Sequence, residues 1–392
     1  MVEGFEWRDD QMNNEHPMLS NILSLARLET WQSSMELAEH TTNLWLDKIR
    51  QPDFERVYFV GCGTSLYNGQ VAKYAIEQIA GLAAEAIPAF TFSKYVQSKV
   101  LGPKTLVVGI STTGGTPAVC EAIEHARQAG ARTLAVTAYT DSPVTRLAEG
   151  TILTGGQSDS MSVKTSSYVQ ALIALYVLAI RLGEVGAGSG DGKAAESKDW
   201  RFQIAKAGER AAMFLDRQRG EIQHLAQQFT AASRVFVLGC GPNCGTAEEA
   251  SLKVIEMAKM HAEAQELENF LHGRLREVDQ VNPLFLIAPK GPASGRVLDF
   301  LTVTDHIKAP AVVLTDEVTE GIRGLARHVI QLPGGVDMPG GLDELVTPLL
   351  YIIPMHLFGY EMARVRGYDP NARRYHIVPQ KVRYGQPVEE IE

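Results

Sequence analysis

The amino-acid sequence predicts an α/β protein built from two tandem parallel-sheet domains, and three observations carry that reading. One phrase occurs twice: Arg56-Val57-Tyr58-Phe59-Val60-Gly61-Cys62-Gly63 returns 178 residues later as Arg234-Val235-Phe236-Val237-Leu238-Gly239-Cys240-Gly241. Each copy is an apolar, β-branched and aromatic run that stops at a glycine turn and enters a helix-like pattern. That is how a buried parallel strand feeding a crossover helix reads in sequence. Further short apolar runs alternate with helical patterns behind both copies, as in doubly wound sheets. At 392 residues each domain has enough chain to bury its own core.

Taken in order, residues 1–50 are an N-terminal helical segment, with Leu19, Ile22, Leu23 and Ala26 at helical spacing. Residues 51–183 form the first domain, with strands expected over 56–60, 84–90, 105–110, 133–137 and 151–154. The glycine-rich run from Glu184 to Gly192 makes 184–200 read as a linker. The second domain, 201–366, opens on one long helical stretch (201–231). Strands over 234–238, 283–288, 311–314 and 328–331 follow, then a helix around 342–366. The tail, 367–392, has no clear period and carries many basic and aromatic side chains. Ligands of such sheets bind at the carboxyl ends of the strands.

Hydrophobic content of 45% and charged content of 21% are those of a globular protein. A net charge of −9 and a pI near 5.7, with no Lys/Arg block, argue against nucleic acid as a partner. No apolar run reads as membrane-spanning and the polar N-terminus is not a signal peptide, so a cytoplasmic protein with no membrane partner is expected. Cys62, Cys120, Cys240 and Cys244 make neither a disulfide framework nor a paired zinc motif, which points to reduced thiols and no metal.

The chemistry differs between the two copies. The first turn continues into Thr64-Ser65, and the strand Leu106-Val107-Val108-Gly109-Ile110 opens into Ser111-Thr112-Thr113-Gly114-Gly115-Thr116-Pro117. Hydroxyls and glycines at a helix N-terminus, where free N–H groups and the dipole favour an anion, suit a phosphate monoester. Simple N-capping is the alternative, although four hydroxyls exceed what a cap needs. No phosphate-loop lysine is present, which disfavours triphosphate hydrolysis, and the dinucleotide glycine fingerprint is incomplete at both turns.

The second copy lacks this cradle and opens instead into Ala288-Pro289-Lys290-Gly291-Pro292. Its polar content is Glu249, Lys253 and Glu256, at i, i+4 and i+7 on one helix face. His261 follows, read as mid-helix and structural, and then Glu268-Asn269-Phe270-Leu271-His272-Gly273. The face is either a solvated Glu–Lys pair or a cleft. A carboxylate beside a lysine, with a histidine on the next loop, is equipment for proton transfer next to a carbonyl.

Together these pieces resemble the double sugar-isomerase (SIS) domain family over roughly residues 50–385. The resemblance rests on Gly61–Ser65, Ser111–Thr116, Lys164-Thr165-Ser166, the stretch from Glu249 through His261–Ala264 to His272-Gly273, and the sixteen-residue interval between Glu256 and His272. It implies two tandem flavodoxin-like domains, a sugar-phosphate substrate, no cofactor, and a homodimer with its active site at the subunit interface. It also implies that Ser65, Ser111, Thr112, Thr113 and Thr116 hold the phosphate. Glu256 would move a proton between C1 and C2 of the open-chain sugar, and Lys253 and Glu249 would line the sugar site. His272, from a neighbouring subunit, would assist ring opening. Two departures stand out: Arg274 replaces the family's proline after His-Gly, and Lys381 is a displaced candidate for the lysine at the end of the aminotransferases. No glutaminase segment with its cysteine precedes residue 50. The tail from Asp369 to His376 is more similar to the deglycase members. The expected activity is therefore cleavage of a 6-phosphorylated fructosamine by 1,2-enolisation, with burial raising the pKa of Glu256. A glucosamine-6-phosphate deaminase or aldose–ketose isomerase is the alternative among enzymes, and a non-catalytic sugar-phosphate sensor the alternative outside them.

Overall fold

The computed structural model describes residues 16–49, 53–156, 161–186, 191–334, 341–375 and 382. Two helices open the chain, α1 (Pro17–Leu23) and α2 (Leu28–Ile49). The first sheet follows: β1 (Arg56–Gly61), β2 (Ala83–Pro88), β3 (Thr105–Ile110), β4 (Arg132–Thr137) and β5 (Gly150–Leu153). Its helices are α3 (Thr64–Ala75), α4 (Ala89–Tyr95), α5 (Pro117–Gln128), α6 (Pro143–Leu147) and α7 (Ser166–Gly186). α8 (Asp191–Arg217) and α9 (Arg219–Gln228) lead to the second sheet, β6 (Arg234–Gly239), β7 (His261–Glu266), β8 (Leu284–Ile287), β9 (Ala311–Thr315) and β10 (His328–Gln331). Its helices are α10 (Asn243–Ala258), α11 (Leu267–Leu271), α12 (Ser294–Ile307), α13 (Glu320–Leu325) and α14 (Pro348–Val365).

Both sheets are parallel and have the same topology. The first runs β2-β1-β3-β4-β5 and the second, from its far edge, β10-β9-β8-β6-β7. The duplicated phrase is thus the strand that starts each sheet, β1 and β6, and each turn glycine, Gly63 and Gly241, has positive φ (53° and 52°). Every residue of β3 is buried, as are the last five of β1 and β6. That explains their unbroken apolar reading, since helices cover both faces.

Side chains from the inner faces of both sheets meet in one core: Val57 and Phe59, Val235 and Val237, with Val71 of α3, Leu172 of α7, Val254 of α10 and Leu350 of α14. The outer faces carry smaller clusters, Tyr58, Val60, Val119 and Ile123 on the first sheet, and Phe236, Leu238 and Phe300 on the second. Between the domains α10 lies against α3. The crossing is at Gly245, where a Cβ would stand 2.7 Å from Val71 Cγ2 and 2.9 Å from the Tyr67 carbonyl.

Several sequence expectations give way. The second sheet has a fifth strand, β7, over His-Ala-Glu-Ala-Gln-Glu, and His261 begins it, exposed, rather than sitting in mid-helix. Its reading failed because β7 is an edge strand joined only to β6, so its outer positions stay polar. The first sheet's edge strand ends at Pro88, and Ala89 already starts α4. The stretch expected as a linker is helical from Asp191, and the single helix expected over 201–231 is two, separated at Gln218. One apolar run does reach membrane-spanning length. Helix α7 has 21 residues with mean hydropathy 1.6, and 78% of that span is buried inside the protein. A helix enclosed on all sides is apolar all round; α2, α3 and α8 surround this one.

Replacing Gly245 by alanine should push α10 away from α3 and lower stability by about 1–3 kcal/mol, as overpacking does. Urea unfolding checks this. Gly295→Ala, where a Cβ meets nothing within 4 Å, is the control and should leave the midpoint unchanged or raise it.

Candidate active site

The order in which strands are added to the first sheet reverses between β1 and β3, which themselves run parallel. From β1 the chain crosses by α3 to β2, and from β3 it crosses by α5 to β4 on the other face. The two strands lie side by side, Val60 beside Gly109, so the loops after them share one crevice at the carboxyl edge.

The loop after β3 is braced for close approach. Gly114 N–H donates to the Ser111 carbonyl at 2.9 Å and its own carbonyl accepts from Val144 N–H at 2.9 Å. Gly114 has φ +66°, and a Cβ there would lie 2.1 Å from Ser142 Oγ, so only glycine fits. The Thr112 carbonyl is tied to Ala138 N–H and Thr137 Oγ1. Ser111 is buried and its hydroxyl meets that of Thr116 at 2.9 Å, while Thr113 is exposed. Thr116 holds the N-cap position of α5, yet its side chain makes no capping bond, so this hydroxyl does not serve the helix. Ser65 stands half-buried in the first turn of α3.

The row on α10 forms as the spacing predicts. Lys253 Nζ lies 2.6 Å from Glu256 Oε2, 3.3 Å from Glu249 Oε1 and 2.9 Å from Thr64 Oγ1 of α3. The last contact joins the second domain's acid–base row to the first domain's glycine turn. Glu249 and Lys253 are enclosed (side chains 0% and 1% exposed), and Glu256 is 33% exposed. The solvated-surface alternative therefore fails.

Burial sets the electrostatics. It pushes the Glu249 carboxyl from its ordinary 4.5 to about 7, and the Lys253 charge holds it back only in part. Burial alone would depress the Lys253 ammonium, but Glu249 and Glu256 outweigh it and leave it raised. Lys253–Glu256, the shorter contact, is the ion pair, and Glu249 is the carboxyl that burial disposes to take up a proton. The enclosure expected for Glu256 thus falls on Glu249, two helical turns earlier in α10. Burial, then Glu248, Glu249 and Glu256, push the neighbouring Tyr67 up to about 12.

His272 is not with this row in one chain. It caps α11, 74% exposed, with Nε2 3.5 Å from Glu268 Oε1. Glu256 precedes β7 and His272 follows it, so the strand's six residues separate them by roughly 17 Å. Arg274 pairs with Glu263 of β7. Lys381 lies outside the described residues. The motifs also missed two residues of the site. Thr64 was quoted in the turn but given no role. His356 of α14, with Nε2 3.8 Å from Glu249 Oε1, had only the signal of a polar residue inside the apolar run from Ile352 to Phe358.

Because the folded protein keeps a proton on Glu249 that the unfolded chain releases, this group's contribution falls as pH rises from 4.5 to about 7 and is flat beyond. Relative to Glu249→Gln, wild-type unfolding free energy should fall by up to about 1.4 kcal/mol per pH unit in that window. Urea titrations at pH 5, 6 and 7 measure it; a constant difference would contradict the assignment.

Comparisons with known proteins bear on the family and the fold. Glutamine–fructose-6-phosphate aminotransferase [isomerizing] of Mycobacterium tuberculosis is 28% identical over 326 residues, covering 82% of this chain and 50% of that enzyme. The chain spans about half the length of the curated relatives it matches. Among solved structures, the C-terminal domain of glucosamine-fructose-6-phosphate aminotransferase from Francisella tularensis superposes with TM-score 0.78 at 20% identity, covering 94% of this chain and all of that one. Tagatose-6-phosphate ketose/aldose isomerase from Escherichia coli gives 0.73 at 17% identity, covering 90% of this chain and 94% of the other. At these identities the two structures establish the fold. The SIS domain matches residues 49–181 and 228–351, one segment for each sheet and together more than half of the chain, which therefore belongs to the SIS domain family.

Proposed function

We propose that the protein is a phosphosugar enzyme that cleaves a 6-phosphorylated 1-amino-1-deoxyketose to a hexose 6-phosphate and a free amine. The observation that carries this reading is the Lys253–Thr64 hydrogen bond, which sets a hydroxyl cradle with no titratable group next to a row of acids and a base. Ser65, Ser111, Thr112, Thr113 and Thr116 bind the phosphate through hydroxyls and amides. Glu256, the one member of the α10 row open to solvent, removes the C1 proton, and the C2 carbonyl oxygen takes up a proton to give the enaminol. Return of a proton to C2 makes the aldose imine, and water adds to C1 and expels the amine. Lys253 holds Glu256 in place and Glu249 closes the row from behind. His272, from the neighbouring subunit of a homodimer, assists ring opening; its exposure and its distance from Glu256 within one chain support that division.

The first residues of the tail, 367–375, border the site. Asn371 Oδ1 accepts from Ser162 N–H and Oγ at 2.9 and 2.8 Å, Asp369 meets His16 at 3.3 Å, and Arg374 acts on Lys259, whose Nζ donates to the Glu256 carbonyl.

A combined thermal-shift and turnover screen of phosphorylated fructosamines against amino-sugar phosphates and ketose phosphates tests the reading. Fructosamine phosphates should both stabilise the protein and be cleaved; turnover of the other substrates alone would make it a deaminase or an isomerase, and stabilisation without turnover a sensor. Glu256→Gln should keep the thermal shift and lose at least about a hundredfold in kcat. Thr116→Val and Ser111→Ala should instead raise KM about tenfold each, the loss of one hydrogen bond to a charged group.

A further inference from the structure

Helix α14 carries a polar side chain that none of the motifs contains. His356 is completely buried in a helix whose neighbouring positions Ile352, Ile353, Met355, Leu357 and Phe358 are buried and apolar. An imidazole is costly there unless its ring nitrogens are used. Its Nε2 faces Glu249 Oε1 at 3.8 Å, and its ring stands edge-on to Tyr168 of α7, centroids 6.2 Å apart. The same Oε1 faces Lys253 Nζ at 3.3 Å, so one carboxylate oxygen is shared by an ammonium and an imidazole. The groups around that carboxyl are Lys253, Glu256 and Glu248 of α10, Thr64 and Tyr67 of α3, Tyr168 of α7 and His356 of α14.

We propose that His356 is a positioning residue that shares one proton with Glu249 and thereby decides whether Lys253 is held by two carboxylates or by Glu256 alone. This rests on the reading of Glu256 as the base. With a proton on each ring nitrogen His356 is an imidazolium whose Nε2–H faces Glu249 across 3.8 Å and favours the carboxylate. Lys253 is then divided between Glu249 and Glu256, and Glu256 keeps its basicity. When the Nε2 proton passes to Glu249, His356 is left a neutral imidazole with its remaining proton on Nδ1, and the whole Lys253 charge falls on Glu256, which becomes a weaker base. Glu249 lies where this exchange happens near neutrality, since burial has already moved its titration to about 7. Neither group needs to touch the sugar. The pair titrates as a unit, with midpoints that belong to both members.

Two measurements on the full chain test this. The first needs no substrate: ring ¹³C NMR of histidine-labelled protein, with His356 assigned among the ten histidines by its loss in His356→Gln. Between pH 5 and 9 its signal should titrate together with Glu249, and Glu249→Gln should move that midpoint by half a unit or more. A His356 signal indifferent to Glu249→Gln overturns the proposal. The second uses the acid limb of kcat/KM on a phosphorylated fructosamine. His356→Leu, which leaves the proton on Glu249 and the whole Lys253 charge on Glu256, should lower that limb by about one pH unit, and His356→Gln, which keeps an N–H donor, should restore it. An unmoved limb in folded His356→Leu protein also overturns the proposal. If no phosphosugar turns over with any variant, the enolisation reading fails, while the NMR result still decides whether the pair exists.

Discussion

The site hangs on one buried ammonium. Lys253 is out of water, and its charge is tolerable because two carboxylates and a hydroxyl surround it. Those partners come from both domains, so the ion cluster fixes the angle at which α10 meets α3 as well as the state of the acids. The close approach at Gly245 has the same effect from the apolar side, since the Nζ-to-Thr64 contact forms only if the helix backbones nearly touch. Packing and electrostatics thus demand one geometry, which is the consistency expected of a sequence that specifies a single structure.

Much of this was legible in the sequence, and the pattern of misses has a physical cause. Strands buried on both faces, such as β1, β3 and β6, announce themselves because both faces must be apolar. Edge strand β7 did not, since four of its six positions are polar and its pairing with β6 is set by tertiary contacts. Helix α8 was hidden by the glycines before it, which resemble a linker. Spacing placed Glu249, Lys253 and Glu256 on one face because a helix converts intervals of four and three directly into proximity. It could not say which of the two glutamates is the enclosed one, because that depends on what α3 and α14 lay over the face. His356 was invisible for the same reason: it joins the row across 107 residues of sequence, where no local period operates.

The duplication is architectural, and its two halves have separated in chemistry. The loop after β3 carries hydroxyls and the loop after β8 does not, although both follow the central strand of the same topology. Conversely, the first helix after the second glycine turn carries the charged row, while α3 contributes Thr64 from its first position. Each half supplies what the other lacks. A chain cut between the domains would therefore hold an anion loop without acids, or acids without an anchor.

Helix α7 has a composition that a lipid bilayer would accept. In this structure protein encloses it instead, and its place in the order of the chain suits that. The five strands of the first sheet, α2 and α3 all precede it in the chain, and α2 and α3 pack against it. When Ser166–Gly186 leaves the ribosome, a half-finished apolar surface is already waiting, and only α8 and the second domain remain to cover the rest. The same helix, placed before its partners, would emerge as an unaccompanied greasy segment exposed to aggregation and to insertion machinery. The position of this element along the chain thus gives it partners to fold against as it emerges.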